Sequence, residues 1–284
     1  MPASVCDDWP PRDGIRHPCW EAYRPLLRQL PRDRFARPED LNRLLPGALR
    51  SRGGARIRFV PDDGSKELPY ERRVHETGEI PTRPDNWHDL FNGLVWCRLP
   101  QTKIAMNALH LRAMDPDPSA PRGPLRDAVT LLDESGVAVF SRDSDLLAAI
   151  ANGRWTQAFV KKRDAWGDDT RVVVCGHALL EKYLRPYKSI TAQALLFRLP
   201  DGANGLPGHF ELDQLLAWQL RAGCLDAGPA ALTPLPLAGI PGWWEGGRQD
   251  SDFYADTRVF RPRRSGRAPA PVLSLNALDL RCYT

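Results

Sequence analysis

The sequence has no long apolar run, no closely spaced pair of cysteines and no segment typical of a signal peptide. A mean hydropathy of -0.42 and the lack of any stretch of ~18 apolar residues exclude a membrane-spanning protein. The six cysteines, at positions 6, 19, 97, 175, 224 and 282, form no C-x-x-C motif, which excludes zinc-ribbon and thioredoxin-like sites. The N-terminus carries acids and prolines where a signal peptide has basic and apolar residues. We therefore expect a cytoplasmic protein with free thiols.

Lysine is scarce, with 6 lysines against 33 arginines. The net charge of +4 and the pI of 8.8 are mildly basic, below the pI above ~9 that is typical of a dedicated nucleic-acid-binding domain. Arginine suits bidentate recognition of phosphate, but the codon usage of a GC-rich genome, which also favours Ala, Gly and Pro, is the preferred explanation of the arginine excess. A small-molecule or nucleic-acid phosphate substrate is therefore compatible with the composition, a membrane partner is not, and the oligomeric state is not indicated.

The 284 residues fit one compact domain with four segments. We predict an N-terminal arm with short helices over 1–55, a mainly helical half over 56–114, a sheet-containing half over 125–222 and a wrap rich in Pro, Gly and Trp over 223–284. The run DPDPSAPRGP, residues 115–124, is the best candidate for a linker. The predicted fold class is α+β or mixed α/β, in which the helical half packs on a small β-sheet with crossover helices.

Periodicity and capping residues locate the individual elements. The predicted helices are 38–45, 70–77, 87–99, 100–114, 144–152, 156–166, 177–184 and 212–221. The predicted strands are 56–60, 128–132, 137–140, 171–175 and 192–199, with a hairpin turn over 133–136. The helices 87–99 and 100–114 are expected to be adjacent and antiparallel, because Pro100 ends the first and starts the second.

Polar stripes interrupt the two helices on either side of Pro100. On the first helix, His88 and Asn92 are four residues apart and share a face with Asp89. On the second helix, spacings of four and three residues place another polar stripe on one face, formed by Lys103, Asn107 and His110. Asn and His are poor helix formers, so a role beyond helix propensity retains them. Two interpretations stay open: a buried hydrogen-bond network that locks the helices together, or a cleft that binds a polar ligand or metal.

A second constellation is His177 with Glu181, at the start of the helix that follows a buried strand. The helix N-terminus favours a neutral imidazole, which can bind a metal or act as a base. The i, i+4 spacing is compatible with metal ligation, but a surface His–Glu pair has the same spacing. Asp127, Asp133 and Glu134 are given structural roles, because the last two fall in the predicted turn.

One further pattern resembles His-Me finger nucleases, in which a His at the end of a strand precedes an Asn on the following helix. His75, Gly78, Asn92, Trp96 and Asn107 occur in the matching order. The spacings are longer than in those enzymes, and the segment around His75 is predicted to be helical rather than extended.

Several long strings resemble the bacterial domain-of-unknown-function family numbered 3025. They are YERRVHETGEIPTRPDNWHDLFNGLVWCRLPQTKIAMNALH, RDAVTLLDESG, VVVCGHALLEKYLRPY and the late GIPGWW…FYAD…VFRP. The resemblance covers about residues 56–263. It implies a single bacterial domain and no activity, and it favours His88 over His75 as the functional histidine.

We predict a metal-assisted hydrolase that acts on a phosphate-containing or nucleic-acid substrate, with a divalent metal as cofactor. His88, Lys103, Asn107 and His177 are the catalytic candidates; Asn92, His110 and Arg83 are the substrate-binding candidates; Asp89 and Glu181 are the metal candidates. The alternative is a non-catalytic RNA- or protein-binding module that uses its arginines and the tryptophans at 9, 20 and 243–244. The hydrolase hypothesis places His88 and His177 within about 12 Å of each other in one partly solvated cleft between the two halves.

Overall fold

The computed structural model describes residues 16–65, 67–114, 123–200 and 205–275. Most of the predicted linker therefore lies outside the described residues. Mixed α+β architecture is confirmed: a five-stranded mixed sheet and a small parallel pair of strands are surrounded by helices. The buried hydrophobic side chains of the described residues form one continuous cluster, whose first and last members in the sequence are Cys19 and Leu275.

The first half is mainly helical, as its sequence predicts. Asn86 caps α4 by accepting a hydrogen bond from the backbone nitrogen of Asp89 at 3.0 Å, and Pro100 occupies the first turn of α5. Leu99 alone separates these two helices, whose main packing partners are α8 for α4 and α9 for α5. The elements are α1 (Arg24–Leu27), α2 (Pro38–Leu44), β1 (Arg58–Pro61), α3 (Tyr70–Thr77), β2 (Glu79–Thr82), α4 (Trp87–Arg98) and α5 (Pro100–Arg112).

The second half contains the main sheet and the helices that cover it. Its elements are α6 (Pro124–Ser135), β3 (Gly136–Ser141), α7 (Ser144–Ala151), β4 (Thr170–Val174), α8 (His177–Lys182), β5 (Thr191–Arg198), α9 (His209–Arg221), β6 (Thr233–Pro236), α10 (Ser251–Ala255) and β7 (Val272–Ser274). The predicted helix over 156–166 is instead a π-helical turn, Gln157–Lys161, followed by a 3₁₀ turn, Arg163–Trp166.

The predicted strand over 128–132 and its hairpin turn are wrong, because this segment belongs to α6. Leu125, Ala128, Val129 and Leu132 recur at helical spacing and face the core, and Pro124 supplies a helix start. The sequence alone does not distinguish the two, because the periodicity of a short apolar run fits a strand as well as a buried helix. As a result, residues 133 and 134 lie in the last turn of a helix that leads directly into β3.

The strand order in the main sheet is β4-β3-β5-β6, and β7 pairs with β5 beside β6. β3 is parallel to β5 and antiparallel to β4, with Val137 opposite Val174 and also opposite Ala194. All six residues of β3 are buried, so both faces of the sheet are covered. The end of β4, and with it the start of α8, therefore lies beside the start of β3, where α6 also ends.

Two simpler predictions concern cysteines and membranes. Cys19, Cys97, Cys175 and Cys224 are free thiols, as predicted, whereas positions 6 and 282 lie outside the described residues. Among the described helices, each is too short or too polar to cross a bilayer.

A candidate metal centre

The structure brings His88 of α4 and His177 of α8 into contact. Their Nε2 atoms are 3.0 Å apart, and their rings meet edge to face with centroids 4.4 Å apart. This separation is well within the 12 Å expected from the sequence. The His177 side chain is buried, with 6% of its surface exposed, whereas 36% of the His88 side chain is exposed, so solvent reaches the pair from the His88 side and the pair is not an enclosed core network.

Local backbone geometry fixes His177. The backbone nitrogens of Cys175 and Gly176 both donate to the carbonyl oxygen of Gly136, at 3.0 and 2.9 Å, which ties the exit of β4 to the start of β3. A Cβ on Gly176 would lie 2.4 Å from the Gly136 nitrogen, so only glycine permits this approach. His177 then occupies the first position of α8 and points back towards the end of α6.

A carboxylate faces the Nδ1 atom of each histidine. Glu181 Oε2 lies 3.4 Å from His88 Nδ1, and Asp133 Oδ1 lies 3.6 Å from His177 Nδ1. The hydrogen bond with Glu181 raises the pKa of His88 above its ordinary value, against the opposing effect of burial. When each Nδ1 directs its hydrogen at its carboxylate, the two Nε2 atoms present lone pairs to each other. Such a pair is repulsive unless a proton or a cation lies between the rings.

Glu134 completes a group of three donors. Its Oε2 atom lies 3.7 Å from His177 Nε2, and one ligand atom from each of His88, Glu134 and His177 lies within 4.8 Å of the other two. The Glu134 side chain is 42% exposed, which leaves one side of the group open to solvent. Two imidazoles and one carboxylate are a donor set that divalent transition metals accept.

Asp133 links His177 to a buried lysine. Lys103 Nζ donates to Asp133 Oδ1 at 2.6 Å and lies 5.5 Å from the centre of the Trp96 ring. Burial alone would raise the pKa of Asp133, but the charge of Lys103 and the polar contact with His177 overcome it and hold that pKa far below its ordinary value. Only 3% of the Lys103 side chain is exposed. The structure therefore places Lys103 behind the histidines, where it balances the charge of Asp133, and not at the surface where it would meet a substrate anion.

The remaining polar residues of α4 and α5 form a layer next to the three-donor group. Asn92 Nδ2 donates to the Tyr70 hydroxyl at 3.1 Å. Asn107 Nδ2 donates to the Glu71 carboxylate at 2.5 Å, and His110 Nε2 lies 3.9 Å from the same carboxylate. These side chains anchor α3 to α4 and α5. The first interpretation, a buried hydrogen-bond network, therefore describes Asn92, Asn107 and His110, whereas His88 contacts His177 and belongs to the group of three donors.

Asp89 and Arg83 form an ion pair at the edge of this region. Asp89 accepts hydrogen bonds from the Arg83 backbone nitrogen, Nε and Nη2 at 2.7–2.9 Å. With its carboxylate engaged in this way, Asp89 lies outside the three-donor group. The Arg83 side chain is 52% exposed. The hydrogen bond to Asp89 and the nearby charges of Asp62 and Glu181 raise the pKa of Arg83.

The sequence analysis does not identify Asp133 and Glu134 as site residues, because it predicts a turn where α6 ends. Two acids in the last turn of a helix face the negative end of the helix dipole and are unfavourable there. This unfavourable placement is the signal that points to a role for them beyond helix formation. Glu71 was missed because its stripe partner, Asn107, lies 36 residues away on another helix.

His75 lies on α3, as predicted, and outside the three-donor group. Its backbone carbonyl accepts a hydrogen bond from Ser51 Oγ at 2.6 Å. The strand that should precede the helix in the His-Me finger arrangement is therefore not present at this histidine, and the nuclease pattern has no structural counterpart here.

Comparisons with known proteins identify the family but no characterised relative. No curated protein and no solved structure gave a match to the chain. The family model described as "Protein of unknown function (DUF3025)" matches residues 57–264, which is most of the chain and includes every residue of the histidine–carboxylate group. The chain therefore belongs to the DUF3025 family.

Proposed function

We propose that this protein is a divalent-metal-dependent hydrolase that acts on a phosphate-containing substrate. The observation that carries the proposal is the pair of Nε2 atoms 3.0 Å apart, with a carboxylate facing each Nδ1. Metal-bound histidines usually direct their second nitrogen at a carboxylate, which fixes the tautomer and orients the ring. A cation between the rings would accept both Nε2 lone pairs and so remove the repulsion between them.

The donor set and its openness favour a catalytic rather than a structural metal. Structural zinc sites are closed by four protein ligands, whereas catalytic sites have three protein ligands and a water. His88, Glu134 and His177 supply three, and the exposed sides of His88 and Glu134 leave room for water. The bound metal would lower the pKa of that water and polarise a phosphoryl oxygen. Exposed Arg83, which lies near Glu181, is the residue that we assign to recognition of the substrate anion.

The first experiment measures metal binding by untagged protein. Titration calorimetry with Zn²⁺ and Mn²⁺ should give one site, and a metal concentration of 100 times the Kd should stabilise the fold by ~2.7 kcal/mol. His88→Ala should lower the affinity at least ~10-fold, because one of three ligands is lost. His209→Ala is the matched control, because this half-buried histidine at the start of α9 is not part of the donor group. Equal affinity in His88→Ala and wild type would exclude the site.

The second experiment tests the chemistry separately. Metal-loaded protein is incubated with bis(p-nitrophenyl) phosphate and with a short RNA, and release of the product is compared with that from His88→Ala and Arg83→Ala. We expect no turnover in the first variant and weakened substrate binding in the second. Tight metal binding without phosphate-ester hydrolysis would reject the hydrolase while leaving the metal site intact. If, in that case, the protein also bound Fe²⁺ more tightly than Zn²⁺ and Mn²⁺, the result would point to the oxygenase chemistry that two histidines and one carboxylate support.

We also propose the cytoplasm as the compartment. The four described cysteines are all free, which suits a reducing environment. Labelling of unfolded protein with a thiol reagent, without prior reduction, should modify all six cysteines.

A further inference from the structure

A cavity lies apart from the histidine group, and its lining shares no residue with that group. It has a volume of about 590 Å³ and lies between the end of α7, the strands β5 and β6, and the segment 258–270. A volume of this size suits a small-molecule ligand, which typically occupies ~300–1,000 Å³. The site is therefore large enough for a nucleotide-sized molecule.

Positive charge dominates the wall of this cavity. Five arginines line it, and none of the described residues in its lining is acidic. They are Arg258, Arg261, Arg263, Arg264 and Arg267. Clustered like charges repel one another, and a bound anion removes this repulsion.

Only one of these arginines has a carboxylate partner within the described chain. Asp256 accepts from Arg258 Nε at 3.0 Å and also from Lys188 Nζ at 3.1 Å. For the other four, the described residues offer no carboxylate oxygen within 4.0 Å of a guanidinium nitrogen. Arg261 Nε donates to the Arg258 carbonyl at 3.0 Å and Arg267 Nη2 donates to the Pro229 carbonyl at 3.4 Å. The remaining guanidinium nitrogens of these four exposed side chains are available to a ligand.

The arginine segment is held in place by buried aromatic residues. The Trp155 indole nitrogen donates to the Arg261 carbonyl at 2.6 Å, and Phe260 is buried against Tyr254 with ring centroids 5.3 Å apart. Gly153 has φ +62°, and a Cβ there would lie 2.8 Å from the Arg263 nitrogen. The backbone that carries the arginines is thus fixed before a ligand arrives, which reduces the entropy cost of binding.

We propose that this cavity binds a ligand that carries two or more adjacent phosphate groups. Guanidinium groups bind phosphate through paired hydrogen bonds, and several phosphates satisfy several arginines at once. The lining also includes the apolar residues Leu232, Pro234 and Pro236, while Ser189 and Thr191 add polar atoms. A lining that combines apolar side chains with guanidinium groups matches the ring and the phosphates of a nucleotide. The proposal does not depend on the metal centre.

The test measures binding of inorganic triphosphate, ATP and a short single-stranded RNA at low salt. EDTA is present throughout, so that any metal at the histidine group is removed and the two proposals are tested separately. Arg263→Ala/Arg264→Ala should weaken binding about 100-fold, since each charge-assisted contact is worth about one factor of ten or more. Arg28→Ala/Arg32→Ala removes the same charge from two exposed positions outside the cavity and should leave the affinity within about twofold.

The ligands distinguish the source of the phosphates. Binding of ATP and triphosphate without RNA identifies a nucleotide site, and RNA binding that ATP competes with identifies a nucleic-acid strand; either result supports the proposal. The proposal fails if wild type binds none of the three. It also fails if the control pair loses as much affinity as the cavity pair, because net charge alone would then explain the binding.

Discussion

Replacement of Glu71 by Gln should change how the stability of this protein depends on pH. Glu71 lies at the start of α3, with its side chain 22% exposed against α5. Asn107 donates to its carboxylate at 2.5 Å and to its backbone carbonyl at 3.0 Å, and His110 is nearby. Glutamine retains the size of the side chain and an oxygen that can accept from Asn107, but it cannot ionise.

Burial raises the pKa of Glu71 from 4.5 to about 7, and the negative charge of Asp133 adds to this effect. The hydrogen bond from Asn107 and the positive charges of Lys103 and Arg126 act in the opposite direction. Between pH 4.5 and about 7, the folded protein therefore holds a proton that the unfolded chain releases. The contribution of Glu71 to the free energy of unfolding is fully present below pH 4.5 and is lost as the pH rises through about 7. At 1.36 kcal/mol per pKa unit, the rise from 4.5 to about 7 makes the loss at pH 8 ~3.4 kcal/mol at most.

Urea unfolding of both proteins between pH 5 and pH 8 measures this effect. Glu71→Gln should be more stable than wild type by ~1–3 kcal/mol at pH 8, and the difference should shrink towards zero near pH 5. Other groups titrate in both proteins and cancel in the difference. Glu76→Gln makes the same change at an exposed position of α3 and should give no pH-dependent difference. A Glu71→Gln variant that is less stable than wild type at pH 8 would refute the reasoning, because Glu71 would then be ionised and held by Lys103 and His110.

Three further predictions concern the support of the histidine pair. Asp133→Asn leaves Lys103 buried without a counter-charge and should lower the free energy of unfolding by ~3–5 kcal/mol, as measured by urea denaturation; a loss below ~1 kcal/mol would show that the pair is solvated. Gly176→Ala should displace His177, because the added Cβ meets the backbone of β3, so metal affinity should fall with or without a change in melting temperature; unchanged affinity would mean that the backbone yields. Leu132→Ala opens a cavity beneath α6 and should cost ~2–5 kcal/mol in urea unfolding.

The sequence by itself determined most of the elements. Local rules of capping and backbone conformation fix several helix ends. Gly78 ends α3, Asn86 begins α4 and Pro100 begins α5, and each of these effects depends only on neighbouring residues. The strands β3, β4 and β5 follow from β-branched and apolar runs. The sequence also predicted that His88 and His177 would meet, because polar stripes on otherwise apolar elements have to be satisfied somewhere.

Only the tertiary structure decided which partners satisfy them. Whether residues 128–132 form a strand or a helix depends on packing against β3 and β5, which local propensity does not encode. Because the segment is helical, Asp133 and Glu134 lie beside His177. Lys103 looks the same in sequence whether it meets a substrate or a buried aspartate. Its place behind the histidines follows from the packing of α5 on α6, a contact between residues 30 positions apart in the chain. Chemistry that depends on distances of 3–4 Å between distant segments is fixed by the fold as a whole, because no local rule reaches across those separations.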